Sequence, residues 1–290
     1  MLKKKPEDFF VSSNEDKISS ALRIKWFGTA GYELSYEDCT ILIDPYVTRV
    51  SFWKFLRKPL DPDLKRIAQE IKTANAIFVS HSHFDHVLDV PSVAKTTGAK
   101  VYGSQSTANF LKLSSVPDEQ IVCCEGRKNF EIGPFNVTLI PSRHSVFRRG
   151  GRELLPGHIS PSSTLPMRAR DYMCGDVFGF KIRVRNYTIG YLGSANLIDE
   201  EIAGGKVDMA IVCIAGRHTT KHFVERLMKG LKPETVMPTH YDNFFKPAKG
   251  ATSLLPFVRF GRFVKEVESF DPKTKIRTMS VGGSISVPVV

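Results

Sequence analysis

The sequence predicts an α/β protein in which β-sheets are covered by outer helices. Strand-like runs outnumber helical runs in both halves of the chain, amphipathic helices separate several of the strands, and 42% of the residues are hydrophobic. With 290 residues, the chain can bury a complete core without disulfide bonds. We therefore expect one domain over 21–290, preceded by a polar lead-in at 1–20.

The first half of this domain, about 21–145, begins with a meander of three strands and continues with alternating helices and strands. Its first helix follows the start signal Asp61-Pro62-Asp63, and its apolar residues recur at the i, i+3, i+4 and i+7 spacing of an amphipathic helix. The predicted helices are 64–71 and 107–113. The predicted strands are 22–27, 32–36, 40–44, 76–80, 100–103, 120–124 and 135–140.

The second half, about 175–290, has the same character. Its predicted strands are 178–184, 188–192, 209–214 and 235–237, and a helix at 220–231 would bury one apolar stripe. The halves are joined by residues 145–175, which are rich in Pro, Gly, Ser and Arg. A connection of this length is typically functional or mobile.

Composition limits the classes of molecule that the protein could bind and the cellular compartment in which we expect it. The net charge of +11 predicts a surface that attracts phosphate esters, acidic headgroups or nucleic acid. Five cysteines without framework spacing indicate reduced thiols. The start MLKKKPEDFF has no apolar signal core after it, and the chain has no apolar run long enough to span a membrane. We therefore expect a cytoplasmic protein, although a removed leader would leave no trace here.

The run HSHFDH at 81–86 concentrates metal-binding side chains directly after a predicted strand. In an extended chain, side-chain direction repeats every two residues, so His81 and His83 can bind one cation. Asp85 and His86 follow where the chain turns, and they suit a second cation nearby. Each cation needs a further ligand from the end of another strand, and His144 in LIPSRHS and His240 in TVMPTHYD meet that condition.

These motifs resemble those of the metallo-β-lactamase superfamily of metal-dependent hydrolases. HSHFDH has the superfamily's HxHxDH form, ILIDPY, His144 and His240 follow in the expected order, and the resemblance covers about 22–285. The stretches FGTAGYEL, ILIDPY and PTHYDNFF are most similar to the lactonase-like and N-acylphosphatidylethanolamine phospholipase D-like branch. The resemblance implies an αββα sandwich of two mixed sheets, with helices outside and the site at one edge.

The resemblance also implies a set of ligands. The first metal would be bound by His81, His83 and His144, and the second by Asp85, His86 and His240. Asp85 would also orient the attacking water or take its proton, and Asp44 would orient a ligand histidine. We expect Zn²⁺, with Mn²⁺ or Fe as alternatives.

One position departs from the family pattern. The family usually has a bridging aspartate in a GDT-like stretch, and the equivalent stretch here, YLGSAN at 191–196, has Ser194 at that place. Because a hydroxyl binds a divalent cation more weakly than a carboxylate does, we expect one tight metal site and a second that is weak or absent. Asp176 and Asp242 are candidate replacements for the bridge.

Other residues are candidates for contact with substrate or with the ligands: Asn196, His218, Arg143 and Tyr241, with His158 a weaker one. The run RHSVFRRGGR contains Arg143, Arg148, Arg149 and Arg152, which suit either phosphate oxygens or a solvated loop. The segment VSFWKFLRKPL at 50–60 mixes aromatic and basic residues. It suits a membrane surface or a greasy substrate, but a loop packed on its own core is the favoured interpretation.

The predicted function is hydrolysis of an anionic ester, such as a phosphodiester, a phospholipid or a lactone, by a metal-activated water. The sequence favours an anionic small molecule or lipid over nucleic acid and allows a peripheral membrane contact; it does not indicate the oligomeric state. A nuclease of the same superfamily is one alternative, although the 96 positions from His144 to His240 (240 minus 144) leave little room for a large inserted domain. A metal-binding protein without hydrolytic activity is another, because of Ser194.

Overall fold

A computed structural model of the chain describes residues 4–11, 21–146, 151–248 and 252–290. The helices are α1 (Phe52–Arg57), α2 (Leu64–Glu70), α3 (Phe84–Val87), α4 (Val90–Thr97), α5 (Gln105–Leu113), α6 (Asp199–Ile202), α7 (Phe223–Leu231) and α8 (Phe260–Phe270). The strands are β1 (Ala21–Gly28), β2 (Gly31–Tyr36), β3 (Cys39–Ile43), β4 (Ala76–Phe78), β5 (Lys100–Gly103), β6 (Ile121–Cys123), β7 (Asn129–Ile132), β8 (Phe135–Pro141), β9 (Phe178–Val184), β10 (Tyr187–Leu192), β11 (Met209–Cys213), β12 (Thr235–Thr239), β13 (Lys275–Ile276) and β14 (Ser284–Pro288).

Within these ranges, the strands form two seven-stranded mixed sheets. The first has the order β14-β1-β2-β3-β4-β5-β6, and the second has the order β13-β12-β11-β10-β9-β8-β7. The strands β3 to β6 are parallel to one another, as are β10 to β13. Parallel strands open their carboxyl ends on one edge, and this edge carries the side chains that matter for function.

The alternation of buried side chains explains how the layers pack. In β3, Ile41 and Ile43 point into the core between the sheets, whereas Leu42 points into a second core beneath the outer helices. Helices α2 to α5 cover that face of the first sheet, and α7 and α8 cover the second sheet with an apolar stripe each. This arrangement confirms the predicted αββα sandwich.

The two sheets do not coincide with the two sequence halves. β7 and β8 precede residue 145 but belong to the second sheet, while β14 returns from the end of the domain to pair with β1. The chain therefore crosses between the sheets before the long connection at 145–175 begins. The elements absent from the prediction include the edge strands β7, β13 and β14 and the outer helix α8.

The structure corrects the favoured interpretation of residues 50–60. Within this segment, Phe52–Arg57 form the short helix α1, none of whose side chains is completely buried, and Phe55 packs partly against the core beneath the outer helices. Val50 and Leu60, which flank the helix, are buried. Phe52, Trp53 and Leu56 are 51%, 65% and 52% exposed. The mixture of aromatic and basic residues therefore faces outward.

Two further expectations concern thiols and membrane spans. All five cysteines lie in the described part of the chain, and they are free thiols, as predicted. No helix among the described residues has the length and apolar character needed to cross a lipid bilayer.

Of the predicted lead-in at 1–20, residues 4–11 are described. Arg148 and Arg149 lie outside the described residues.

Candidate metal centre

Three strand ends bring the candidate ligands to one edge of the sandwich. His81 and His83 follow β4, and His83 caps the short helix α3, whose first turn contains Asp85 and His86. His144 follows β8, and His240 follows β12. The ligands thus come from both sheets and form two groups of three, each with its donor atoms within 4.8 Å of one another.

The first group consists of His81, His83 and His144. The ring centroids of these histidines are 4.6 to 4.9 Å apart, and the ring planes are inclined to one another by 64° to 86°. His81 and His83 are buried, and His144 is half-buried at the cavity wall. The sequence argument for a shared cation at these positions agrees with this convergence.

Hydrogen bonds fix which ring nitrogen of each histidine in the first group is free. His83 donates from Nε2 to the Leu154 carbonyl at 3.0 Å, and His144 donates from Nδ1 to the carbonyl of the next residue at 2.7 Å. His81 Nδ1 lies 3.0 Å from Ser80 Oγ. The remaining nitrogens are therefore unprotonated acceptors, and His81 Nε2 is buried without a hydrogen-bond partner among the described residues.

The second group consists of Asp85, His86 and His240. Asp85 Oδ2 lies 3.1 Å from His240 Nε2 and 4.0 Å from His86 Nε2. All three side chains are buried. The two groups are adjacent, because the ring centroids of His81 and His86 are only 3.8 Å apart.

Asp44 connects the two groups. Its fully buried carboxylate accepts hydrogen bonds from Ser80 N at 2.6 Å, Ser80 Oγ at 2.5 Å, His86 Nδ1 at 2.8 Å and the Tyr191 hydroxyl at 2.7 Å. Because the Ser80 hydroxyl donates to Asp44, it accepts from His81 Nδ1. One carboxylate therefore forms a hydrogen bond with His86 of one group and, through Ser80, is linked to His81 of the other. Its role in orienting a ligand stays a prediction.

Burial and mutual repulsion keep the first group neutral. Burial, together with neighbouring imidazoles, lowers the pKa of His83 to about 4 and that of His144 to about 3. Burial together with its histidine neighbours also holds the pKa of His81 well below its usual value. At neutral pH these rings keep a lone pair available for a cation.

The second group contains an ionised carboxylate. Burial opposes ionisation of Asp85, but the imidazoles of His86 and His240 outweigh it and hold the pKa of Asp85 below its usual range. Burial also opposes protonation of His86, yet the nearby carboxylates of Asp44 and Asp85 raise its pKa. An ionised carboxylate among imidazoles is a donor set that suits a divalent cation.

The donor set fits a metal ion. Five imidazoles and one carboxylate converge, and the imidazole nitrogens that face other protein groups already form hydrogen bonds with them. The buried His81 Nε2 has no hydrogen-bond partner among the described residues, and a bound cation would supply one. Nitrogen-rich sites of this kind favour Zn²⁺ and related borderline cations over Mg²⁺ or Ca²⁺.

Ser194 stands where the family pattern has a carboxylate. Its buried hydroxyl accepts a hydrogen bond from Ser145 N at 3.1 Å, so it supports the turn next to His144. The candidate replacements lie elsewhere. Asp242 forms an ion pair with Arg49 at 2.8 Å and accepts from a backbone amide, and Asp176 is exposed in a different cavity.

The other candidates divide between the site and the rest of the molecule. Asn196 donates to the His144 carbonyl at 3.2 Å, and His218 is exposed in the wall of the cavity above the metal ligands. Tyr241 is not at the site, because its ring is buried in the core between Trp26 and Phe260.

The basic candidates are also displaced from the ligands. Arg143 is exposed and, with His158, lines the separate cavity that contains Asp176. Arg152 is likewise exposed. Although Arg143 directly precedes His144 in sequence, it lines a different cavity from that ligand.

A cavity of about 810 Å³ opens above both groups of ligands. Its walls are largely apolar and include Phe55 and Leu56 from the segment 50–60. They also include residues that sequence reasoning did not select: Leu154, Phe244, Phe245, Leu255 and Phe257. A sequence signal for this apolar wall was present in Phe244 and Phe245, which follow His240 closely. A second cavity of about 670 Å³ shares His218 and Phe257 with the first, and Arg217, Arg259 and Arg262 line it.

Comparisons with known proteins agree with this fold. The family model described as the beta-lactamase superfamily domain matches residues 39–241. A protein of Carboxydothermus hydrogenoformans named UPF0173 metal-dependent hydrolase is 30% identical over 230 residues, which are 77% of this chain and 86% of that protein. A protein of the same name from Thermodesulfovibrio yellowstonii is 25% identical over 280 residues, which are 92% of each chain.

Solved structures are similar in fold. Igni18, a metallo hydrolase of Ignicoccus hospitalis, matches with a TM-score of 0.60 at 18% identity and covers 93% of this chain and 100% of its own. CmlA, a diiron β-hydroxylase of Streptomyces venezuelae, matches with a TM-score of 0.58 at 13% identity and covers 94% of this chain and 55% of its own. At these identities the likeness is one of fold.

Proposed function

The chain belongs to the metallo-β-lactamase superfamily of metal-dependent hydrolases, and from that premise we propose that it hydrolyses an anionic ester of the phosphodiester, phospholipid or lactone type. The observation that carries the proposal is the pair of adjacent ligand groups at the base of one cavity. We also propose that the chain belongs to the lactonase-like and phospholipase D-like branch, which its motifs resemble.

The roles of the residues follow from their positions. His81, His83 and His144 would hold one cation, and Asp85, His86 and His240 a second. A cation bound there would polarise the scissile bond and lower the pKa of a water molecule. The ionised Asp85, which faces the cavity between the two groups, would orient that water and accept its proton.

Positive charge around the cavity supports an anionic substrate. Arg168 and Arg170 line the cavity and are exposed, and the adjoining basic cavity adds Arg217, Arg259 and Arg262. Guanidinium groups suit phosphate and carboxylate oxygens. Because Glu266 pairs with both Arg217 and Arg262, the other exposed arginines are better placed to meet a substrate.

The metal content is also part of the proposal. The imidazole-rich donors favour Zn²⁺, although Fe and Mn²⁺ remain alternatives, and a protein of the same fold is described as a diiron enzyme. Because Ser194 supplies no carboxylate between the groups, we propose one tightly held ion and a second that is weak or absent.

Metal analysis of protein purified without added ions, combined with a screen of phosphodiesters, lactones and acyl esters, tests the proposal. Asp85→Asn should lower turnover about 100-fold or more, because it removes a proton acceptor and a ligand charge while keeping the side-chain shape. The matched control is Asp176→Asn, which changes an exposed aspartate in another cavity.

The possible outcomes separate the alternatives. Turnover that is equal in Asp85→Asn and the control would refute the role of Asp85. Bound metal without turnover of any ester would favour a non-catalytic metal-binding protein, for which Ser194 is the supporting observation. Hydrolysis of RNA or DNA in place of small esters would favour a nuclease.

A further inference from the structure

The mouth of the metal cavity carries an exposed apolar surface. On α1, Phe52, Trp53 and Leu56 are each at least half exposed, and Leu56 lines the cavity itself. Single exposed apolar residues are ordinary on a protein surface, but three large ones on one short helix at the entrance to a site are not.

Aromatic rings continue from this helix to the metal ligands. Phe52 lies 5.5 Å from Phe245 between ring centroids, Phe55 lies 5.1 Å from Phe245, and Phe245 lies 4.6 Å from Phe244. The Phe244 ring is 5.4 Å from the ring of His240. An apolar chain could therefore pass from the surface to the ligands without leaving contact with aromatic rings.

Other parts of the rim are apolar as well. Phe257 lines the cavity, is 84% exposed, and has a φ of 68°, which is unfavourable for a bulky side chain. Leu154 is 43% exposed, and its carbonyl receives the hydrogen bond from His83. The rim therefore presents apolar groups from three separate segments of the chain.

Basic residues accompany the apolar ones on α1. Lys54, Arg57 and Lys58 are exposed at the helix, and the Arg57 guanidinium lies 4.9 Å from the centre of the Trp53 ring. An amphipathic helix with aromatic and basic side chains inserts at the boundary between headgroups and acyl chains, and anionic lipids strengthen that binding.

We propose that the cavity mouth docks on an anionic lipid surface, with α1 and Phe257 inserted at the headgroup level. The inference deepens the proposed function and rests on it in one respect: the substrate would be an amphiphile whose acyl chain follows the aromatic wall to the metal ligands. Docking itself depends only on the exposed surface. A second copy of the chain fits this surface less well, because a two-fold contact through α1 would bring like charges together.

Vesicle binding tests the docking surface without any assay of activity. The full chain is incubated with phosphatidylcholine vesicles with and without phosphatidylglycerol, and binding is measured by sedimentation. The chain has two tryptophans, of which Trp26 is buried and Trp53 is 65% exposed. Binding to the anionic vesicles should therefore shift tryptophan emission to the blue and protect it from acrylamide.

Variants identify the surface. The double variant Phe52→Ser, Leu56→Ser should bind anionic vesicles at least about tenfold more weakly, since it removes two inserted apolar side chains. Lys54→Glu with Lys58→Glu should remove the preference for anionic lipid. The matched control is Leu64→Ser on α2, because Leu64 is 62% exposed and does not line the cavity.

The outcomes are decisive in both directions. Absence of binding to anionic vesicles, or equal binding by the double variant and the Leu64→Ser control, would overturn the inference. A dimer in solution that the double variant dissociates would overturn it in favour of self-association. Asp85→Asn should keep vesicle binding, because docking does not depend on the metal ligands. For the unmodified protein, ester turnover without docking would refute this inference alone, and docking without turnover of any ester would refute the proposed function alone.

Discussion

Asp44→Asn should weaken both the fold and the metal centre. The substitution keeps the side-chain size but replaces a carboxylate that accepts four hydrogen bonds with a group that has one acceptor oxygen and an NH₂. If the amide oxygen faces Ser80 Oγ, His86 and Tyr191, the NH₂ faces the Ser80 amide. The buried Ser80 amide then loses its acceptor and faces another donor.

The hydrogen bonds set the magnitude. An orphaned buried donor costs about 1–3 kcal/mol, and each bond that passes from a charged to a neutral acceptor loses about 1 kcal/mol. The smaller cost of burying a neutral group offsets part of this loss. We therefore expect the free energy of unfolding of the metal-free protein to fall by about 2–4 kcal/mol, and metal affinity to fall about 10- to 100-fold, because ligand orientation is lost.

Urea denaturation with chelator present measures the first effect, and competition with a chromophoric chelator measures the second. Tyr191→Phe is the matched control, because it removes one donor to Asp44 and leaves the carboxylate in place; it should cost about 1 kcal/mol. If Asp44→Asn is no more damaging than Tyr191→Phe in either assay, Asp44 does not organise the centre.

Three further predictions concern the same edge of the sandwich. Ser194→Asp should raise the affinity for a second metal ion, because a carboxylate adds charge between the groups, and two ions held tightly against chelator by the unmodified protein would contradict this. Gly193→Ala should lower metal affinity measured with the same chelator, because a Cβ there overlaps the Ser80 side chain; unchanged affinity would show that Ser80 can move without consequence. The metal-free protein should lose stability as pH falls from about 6.5 towards 4, because the lowered pKa values of His83 and His144 let the unfolded chain bind more protons there; a urea midpoint that is flat between pH 7.5 and 5 would refute this.

Local patterns were enough to predict most of the sheet strands. The predicted strands 22–27, 32–36 and 40–44 match β1, β2 and β3 within about one residue, because alternation and apolar runs are properties of the strand itself. The helix α8 also has a clear periodicity, with Phe260, Phe263, Val264 and Val267 buried, and the prediction missed it although the signal was present. The sheet to which β7 and β8 belong depends on long-range pairing, which local periodicity does not encode.

The convergence of the candidate metal ligands could be expected from the sequence for a different reason. HSHFDH fixes four donors through local spacing, and the apolar strands before His144 and His240 indicate that both reach the same edge. The hydrogen-bond partners of these donors were harder to predict, because Ser80 and Tyr191 contact Asp44 only through the packing of distant segments. The exposure of α1 was misjudged because a cluster of aromatic and basic residues is compatible with either a packed loop or an outward-facing helix.

The origin of the ligands from both sheets has a consequence for biosynthesis. His81 to His86 are translated early, but His240 comes from a strand of the second sheet that is made much later. A nascent chain that has emerged only through β6 has incomplete coordination, so a captured ion would exchange readily. Stable loading must therefore wait until β12 has docked, and ion retention then reports that the two layers have closed on each other.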